Sequence, residues 1–188
     1  ILYRLVGSEM CIRDRLGDAQ SNDFLVYEEI DDEFNLSISK SRTNKYIYIN
    51  SGKTESNELW LIDIENLLEN PECVLRRSDK HLYYVEDTPE GFFALSNKDE
   101  RINFCLLKFK KSDFENFSNW EVLLEHDEKR LIEDFICFQD YLFLDIREDG
   151  LPKILKLNRE NLSKDYIDFP DPSYLSLIHI SEPTRRYR

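Results

Sequence analysis

The sequence predicts an all-β fold, and three observations carry that prediction. Apolar residues fall in short runs at strand spacing. Helical periodicity is almost absent. A unit of four such runs recurs along the chain.

Taken in order, the first run is Phe24 to Tyr27. The first unit then comprises Phe34 to Ser39, Lys45 to Ser51, Glu58 to Ile64 and Glu72 to Leu75. The second comprises Leu82 to Glu86, Gly91 to Asn97, Asn103 to Phe109 and Trp120 to Leu124. The third comprises Ile132 to Phe138, Asp140 to Ile146, Lys153 to Leu157 and Tyr166 to Phe169. Each run is rich in Tyr, Phe, Ile, Leu and Val, the residues that suit a pleated, half-buried surface. The polar links Glu65 to Glu69 and Lys111 to Phe117 read as connections carrying one turn of helix.

A four-stranded unit repeating at about 46 to 50 residues has the size of a propeller blade. One amphipathic sheet of this kind cannot bury both faces alone, but blades stacked face to face can. Both faces then become apolar, which accounts for runs that are apolar at consecutive positions. The predicted fold is therefore all-β, a partial β-propeller of about three four-stranded blades. Three blades alone would leave two large sheet faces open. Neither a Gly-His…Trp-Asp pair nor a double glycine is present, which points away from generic WD-repeat and kelch modules.

The two ends of the chain are related to each other through DNA. Leu5 to Asp14 can be encoded as ctc gtg ggc tcg gag atg tgt ata aga gac. The reverse complement, in a shifted frame, encodes Ile178 to Arg185 and, with two added bases, Leu175 to Leu177. The string resembles the transposon end used to prepare sequencing libraries. Residues 1–14 and 175–188 are therefore expected to be translated adapter rather than native protein, and residues 15–174 to be the partial propeller domain, an internal piece of a longer gene. The end segments are expected not to pack on the blades.

The whole chain of 188 residues has a formal net charge of −13. The end segments hold five Arg and three acidic residues, so residues 15–174 carry 20 basic against 35 acidic side chains, a net −15. That balance speaks against nucleic acid and anionic membrane, which need a basic footprint. It suits a basic partner or a soluble cytoplasmic protein. No run is long and apolar enough for a membrane helix. Cys73, Cys105 and Cys137 are evenly spaced, but each lies in an apolar run with no CxxC and no His at ligand spacing. Three buried, reduced thiols are expected. His81 and His126 sit in polar links and read as solvated loop residues.

The order of motifs resembles a known family. Arg15 to Gly17, Asp23 to Phe34, Ser39 to Ser41, Tyr46 to Ile49, Val74 to Arg77 with Tyr83 and Tyr84, Phe92 to Asn97, Asn103 and Phe104, Leu142 to Arg147, Asp149 to Pro152 and Asp171 to Tyr174 look like the N-terminal propeller of the prolyl oligopeptidase family, in its oligopeptidase B branch. The resemblance spans essentially all of residues 15–174. It implies a seven-bladed propeller over a C-terminal α/β-hydrolase serine-peptidase domain. It further implies hydrolysis of short peptides after Lys or Arg, a cytoplasmic location, and a propeller that limits access. The alternative is a stand-alone propeller serving as a protein-binding scaffold.

This stretch holds no Gly-x-Ser-x-Gly elbow, so no catalytic triad is expected in it; the resemblance puts the triad beyond Tyr174. No phosphate loop, zinc spacing or calcium loop is present, and no cofactor is expected. Two candidates for interdomain contact or substrate steering remain. Glu28 and Glu29, with Asp31 to Glu33, form an acidic turn that could pair with a basic side chain of the peptidase domain, draw in cationic peptides, or simply be a solvated hairpin turn. Arg147 ends an apolar strand before an Asp-Gly turn and reads either as an arginine bridging blades or as an interdomain contact.

Overall fold

The computed structural model describes the backbone of residues 2–6, 9–13, 25–67 and 69–169, and the side chains of the last two ranges. It contains one three-stranded sheet and three four-stranded sheets, all antiparallel. The first comprises β1 (Leu2–Val6), β2 (Glu9–Arg13) and β3 (Leu25–Glu29). Blade 1 runs β4 (Asn35–Lys40), β5 (Tyr46–Lys53), β6 (Ser56–Asp63) and β7 (Glu72–Leu75). Blade 2 runs β8 (Tyr83–Thr88), β9 (Gly91–Ser96), β10 (Cys105–Phe109) and β11 (Glu121–Leu124). Blade 3 runs β12 (Arg130–Cys137), β13 (Tyr141–Glu148), β14 (Leu151–Asn158) and β15 (Lys164–Ile167). The three units expected from the sequence are these three blades. The helical links are single 3-10 turns at Ile64–Asn66, Lys111–Asp113 and Phe117–Asn119.

The packing explains the consecutive apolar positions. In β9, Phe92 and Ala94 join a core shared with Tyr46, Tyr48, Leu59 and Leu61 of blade 1. Their neighbours Phe93 and Leu95 join a second core with Leu142, Leu144 and Ile146 of blade 3. Strand β10 divides the same way, Cys105, Leu107 and Phe109 toward blade 1 and Leu106 toward blade 3. Period-two alternation with both faces covered gives an unbroken apolar run. Each such side chain contributes about 1.5–3 kcal/mol by leaving water.

Two turns show local constraints. Asp149 and Gly150 have φ of 52° and 80°, the both-positive pattern of a type I′ turn, and they join β13 to β14 with Glu148 opposite Leu151. Gly91 opens β9, where a Cβ would lie 2.7 Å from the Phe109 carbonyl oxygen.

Two expectations change. The early face of blade 1 is not open: Val26 and Tyr27 of β3 pack on Leu36, Ile49 and Ile62. Residues 1–14 do not stand apart either, because β2 pairs with β3 from Met10 opposite Glu29 to Arg13 opposite Leu25, and β1 pairs with β2. The physical reason is that an open strand edge offers unpaired backbone groups to any extended segment. The expectations for 175–188, and the motifs Arg15 to Gly17 and Asp171 to Tyr174, lie outside the described residues.

Candidate functional site

The acidic candidate lies where β3 meets blade 1. Glu29 ends β3, and its side chain is almost wholly buried. Arg77, just beyond β7, grips it with a fork: Nη1 donates to Oε2 at 2.7 Å and Nη2 to Oε1 at 3.2 Å. Ser51 Oγ on β5 donates to Oε2 at 2.5 Å, and the Asp31 backbone N–H to Oε1 at 3.0 Å. Burial pushes the Glu29 carboxyl up, but the hydrogen bonds from Arg77 and Ser51 outweigh it and hold it below the usual glutamate range. The Arg77 guanidinium also lies over the Phe34 ring, 4.0 Å from its centroid. Beside it, buried Glu58 accepts from the Tyr27 hydroxyl at 3.0 Å, the Trp60 indole at 3.0 Å and the Arg77 backbone N–H at 3.2 Å. Burial and the Glu58 charge push the Tyr27 hydroxyl far above its ordinary range.

Glu28 alternates to the opposite face of β3 and is exposed. The acidic stretch after it is not a hairpin turn, since it carries the chain from one sheet to the next. Phe34 N–H donates to the Asp31 carbonyl, and Glu33 pairs with Lys53 at 2.7 Å. Arg147 keeps within blade 3: Nε donates to Glu133 Oε1 on β12 at 2.9 Å, and Nη1 to the Gly150 carbonyl at 3.3 Å. Among the described residues it therefore bridges no blades. Nor does the structure join Arg147 to Glu28 or Glu29, whose partners are separate.

The histidine expectation fails at His81. It is 2 % exposed, contacts Ser96 Oγ through Nε2 at 2.9 Å, stacks on Tyr83 and meets Phe117 edge-on. Burial, with the Lys98 charge, pushes its pKa down to about 4. Its polar sequence surroundings hid the aromatic cage, which forms only when the link folds over blade 2. His126 is half-buried. Cys73, Cys105 and Cys137 are buried free thiols in three different blades, on β7, β10 and β12, and burial raises the pKa of each.

A second polar seam lies at the opposite end of the blades, built by residues the sequence reading did not single out. Asp87 accepts from Ser41 Oγ at 2.9 Å and from both the Thr43 backbone N–H and its hydroxyl. Glu86 accepts from the Cys137 backbone N–H at 2.8 Å and lies 3.8 Å from Arg42. Arg159 pairs with Glu90 and donates to the Phe138 and Gln139 carbonyls. One chain of contacts thus stitches all three blades. Short polar residues in turns, such as Ser41 and Thr43, were the available signal, but such residues are also ordinary turn formers.

In the described residues these groups hold blades in register rather than present a reacting pair. The Ser96–His81 contact is enclosed, with no group orienting the far ring nitrogen. A surface groove of about 720 Å³ opens at the boundary of blades 1 and 2, with Glu55, Asp79, Lys80, Lys98, Asp99 and Glu100 on its walls. Its mixed charge suits a polar or peptide surface.

The sequence matches the family described as prolyl oligopeptidase, N-terminal beta-propeller domain, over residues 8–187, a range that reaches into both end segments. It is 33% identical over 162 residues to Protease 2 of Moraxella lacunata, covering 86% of this chain and 23% of that protein. A prolyl endopeptidase-like protein of Gallus gallus is 26% identical over 126 residues, covering 67% of this chain and 17% of its own length. Among solved structures, oligopeptidase B from Trypanosoma brucei, in a closed form with covalently bound antipain, superposes with TM-score 0.75 at 27% identity, covering 86% of this chain and 24% of that one. Oligopeptidase B from Leishmania major superposes with TM-score 0.76 at 22% identity, covering 87% and 26%, a likeness of fold. The chain spans roughly a quarter or less of the length of these relatives.

Proposed function

This chain belongs to the prolyl oligopeptidase family, within its N-terminal β-propeller domain, and we propose that it is the non-catalytic propeller segment of an oligopeptidase-B-like serine peptidase. The observation that carries the reading is the set of three consecutive meander blades, joined to 33% identity with Protease 2 of Moraxella lacunata. The parent protein hydrolyses short peptides after Lys or Arg in the cytoplasm. Its C-terminal α/β-hydrolase domain is the segment's principal partner and supplies the nucleophile. The blades contribute a rigid wall that restricts access to that domain.

Substrate preference gives the surface charge its role. Exposed acidic groups such as Glu28 and Asp32 raise the local concentration of cationic peptides. Glu29 is already neutralised by Arg77 and serves that field only weakly. Arg147, tied to Glu133 but still partly exposed, remains the candidate for contact with the peptidase domain.

The test is in two parts. The purified chain is incubated with a fluorogenic Arg-Arg substrate, and no turnover is expected; turnover abolished by a serine-directed inhibitor would overturn the non-catalytic role. The gene is also read past the codon for Tyr174. A Gly-x-Ser-x-Gly elbow followed by Asp and His is expected downstream. An open reading frame that closes the propeller and ends without one would make the protein a binding scaffold instead.

A further inference from the structure

At one end of the boundary between blades 1 and 2 lies the groove of about 720 Å³. The β5–β6 turn and the link after β7 line one side, and the link from β9 to β10 lines the other. Four exposed acids stand there, Glu55 and Asp79 on the blade 1 side, Asp99 and Glu100 on the blade 2 side. Among the described residues none of the four side chains has an ion-pair or hydrogen-bond partner. Other acids on this end of the blades are tied down: Glu29 by Arg77, Glu33 by Lys53, Glu133 by Arg147 and Glu148 by Lys153. The groove's own cations do not offset its acids. Lys98 is drawn over the Phe117 ring, 4.6 Å from its centroid, which leaves Lys80 alone against four carboxylates. The floor carries a second anomaly. His81 lines it at 2% exposure, with Nε2 against Ser96 Oγ, yet its Nδ1 has no hydrogen-bond partner among the described residues. A neutral imidazole has one N–H and one lone pair, so one hydrogen bond is unmet there. Ile102, 72% exposed, and half-buried Leu82 add apolar surface beside the acids. The backbone is set in an uncommon form, with φ of 54° at Lys80, 60° at Asp99 and 65° at Glu100.

We propose that this groove is a docking site for an extended peptide segment carrying two adjacent basic residues, seated between the two acidic walls. Successive side chains of an extended chain point to opposite sides. Adjacent Arg or Lys residues therefore meet both walls at once, one cation beside Glu55 and Asp79 and the other beside Asp99 and Glu100. An apolar neighbour in the peptide covers Ile102. The peptide backbone runs over the floor, and with both N–H and C=O groups to offer it completes either tautomer of His81. Because the four acids are not already paired, docking breaks no ion pair of the blades. The proposal goes beyond the peptidase reading and needs no cleavage; it rests on that reading only for the supply of basic peptides.

The probe is the blocked peptide acetyl-Leu-Arg-Arg-amide, titrated into the chain of 188 residues at neutral pH and low salt. Calorimetry reads affinity, and NMR of the imidazole protons reads the place. Saturable binding is expected, with the His81 resonances shifting and those of His126 holding still. The charge-reversed peptide acetyl-Leu-Glu-Glu-amide is expected not to bind. The double variant Asp99→Asn with Glu100→Gln removes the acids of one wall and is expected to weaken binding about tenfold, two surface ion pairs at the upper end of their usual worth. Both positions are exposed, so its Tm should match the parent. The double variant Glu65→Gln with Glu69→Gln removes as much charge from exposed positions outside the groove and should bind like the parent. No saturable binding up to about 5 mM peptide overturns the proposal. So does equal binding of the acidic peptide, or an unshifted His81. So does an equal loss in the two double variants, which would assign the attraction to the field of the whole acidic chain. None of these readouts depends on hydrolysis, so failure here leaves the peptidase reading to its own test, and failure of that test leaves this site standing.

Discussion

Replacing Arg77 by Met should destabilise the chain more than any surface charge change, because it strands Glu29. The Glu29 side chain is 3% exposed and accepts both prongs of the guanidinium, whereas Arg77 keeps 29% of its side-chain exposure. Breaking a fully buried pair from one side costs about 3–5 kcal/mol. Residual access of water to Arg77 places this pair near the lower end, about 3 kcal/mol, to which loss of the guanidinium over Phe34 adds about 0.5–1 kcal/mol. For a domain of this size each kcal/mol moves Tm by about 2–4 °C, so a fall of roughly 7–16 °C is expected at pH 7. The double variant Glu29→Gln with Arg77→Met should recover much of it, since the stranded charge is gone. The pH dependence has a fixed sign. Glu29 titrates below its unfolded value of about 4.3, so its contribution is present above that pH and is lost as pH falls through the lower folded value. The difference between parent and Arg77→Met should therefore narrow in acid. Thermal and urea melts across pH 3–8 measure all of this. A Tm change under about 2 °C for Arg77→Met, or a double variant no better than the single, would show that the pair does not hold β3 to blade 1. Glu29 would then return to the pool of acids free to steer substrate.

Two further outcomes are expected. His81 is folded with a pKa of about 4 against roughly 6.5 unfolded, so the neutral ring is the stable form and stability should drop by up to about 3 kcal/mol as pH falls from 7 through 4; His81→Phe should flatten that part of the Tm profile, and an unchanged slope would refute the burial argument. Gly91→Ala should cost more than about 1 kcal/mol in urea melts, because the new Cβ meets the Phe109 carbonyl at 2.7 Å, whereas Gly150→Ala meets nothing and pays only for its positive φ; equal costs would contradict the close approach at Gly91.

The sequence disclosed the blades and concealed the bonds between them, for a physical reason. A sheet covered on both faces needs apolar side chains at consecutive positions, and a run such as Phe92 to Leu95 records that in its composition. Period and turn chemistry then locate the strands, as at Asp149 and Gly150. Pairing between charges leaves no such trace. Glu28 and Glu29 are identical neighbours in an acidic stretch, yet one faces water and the other holds Arg77, a residue 48 positions away. Only the way β3 packs on blade 1 decides which is which, and a slip of one residue along β3 would exchange them. His81 shows the same limit from the other side: its neighbours in sequence are Lys80 and Asp79, while its neighbours in space are Tyr83, Ser96 and Phe117. Arg147 was legible as an arginine at a turn, but not its choice of Glu133, because that acid lies at the register shift of β12. The polar groups that distinguish one blade boundary from another are thus set by tertiary register. Substituting them one at a time, rather than reading further along the chain, is what separates those that fasten blades from those left to meet a substrate.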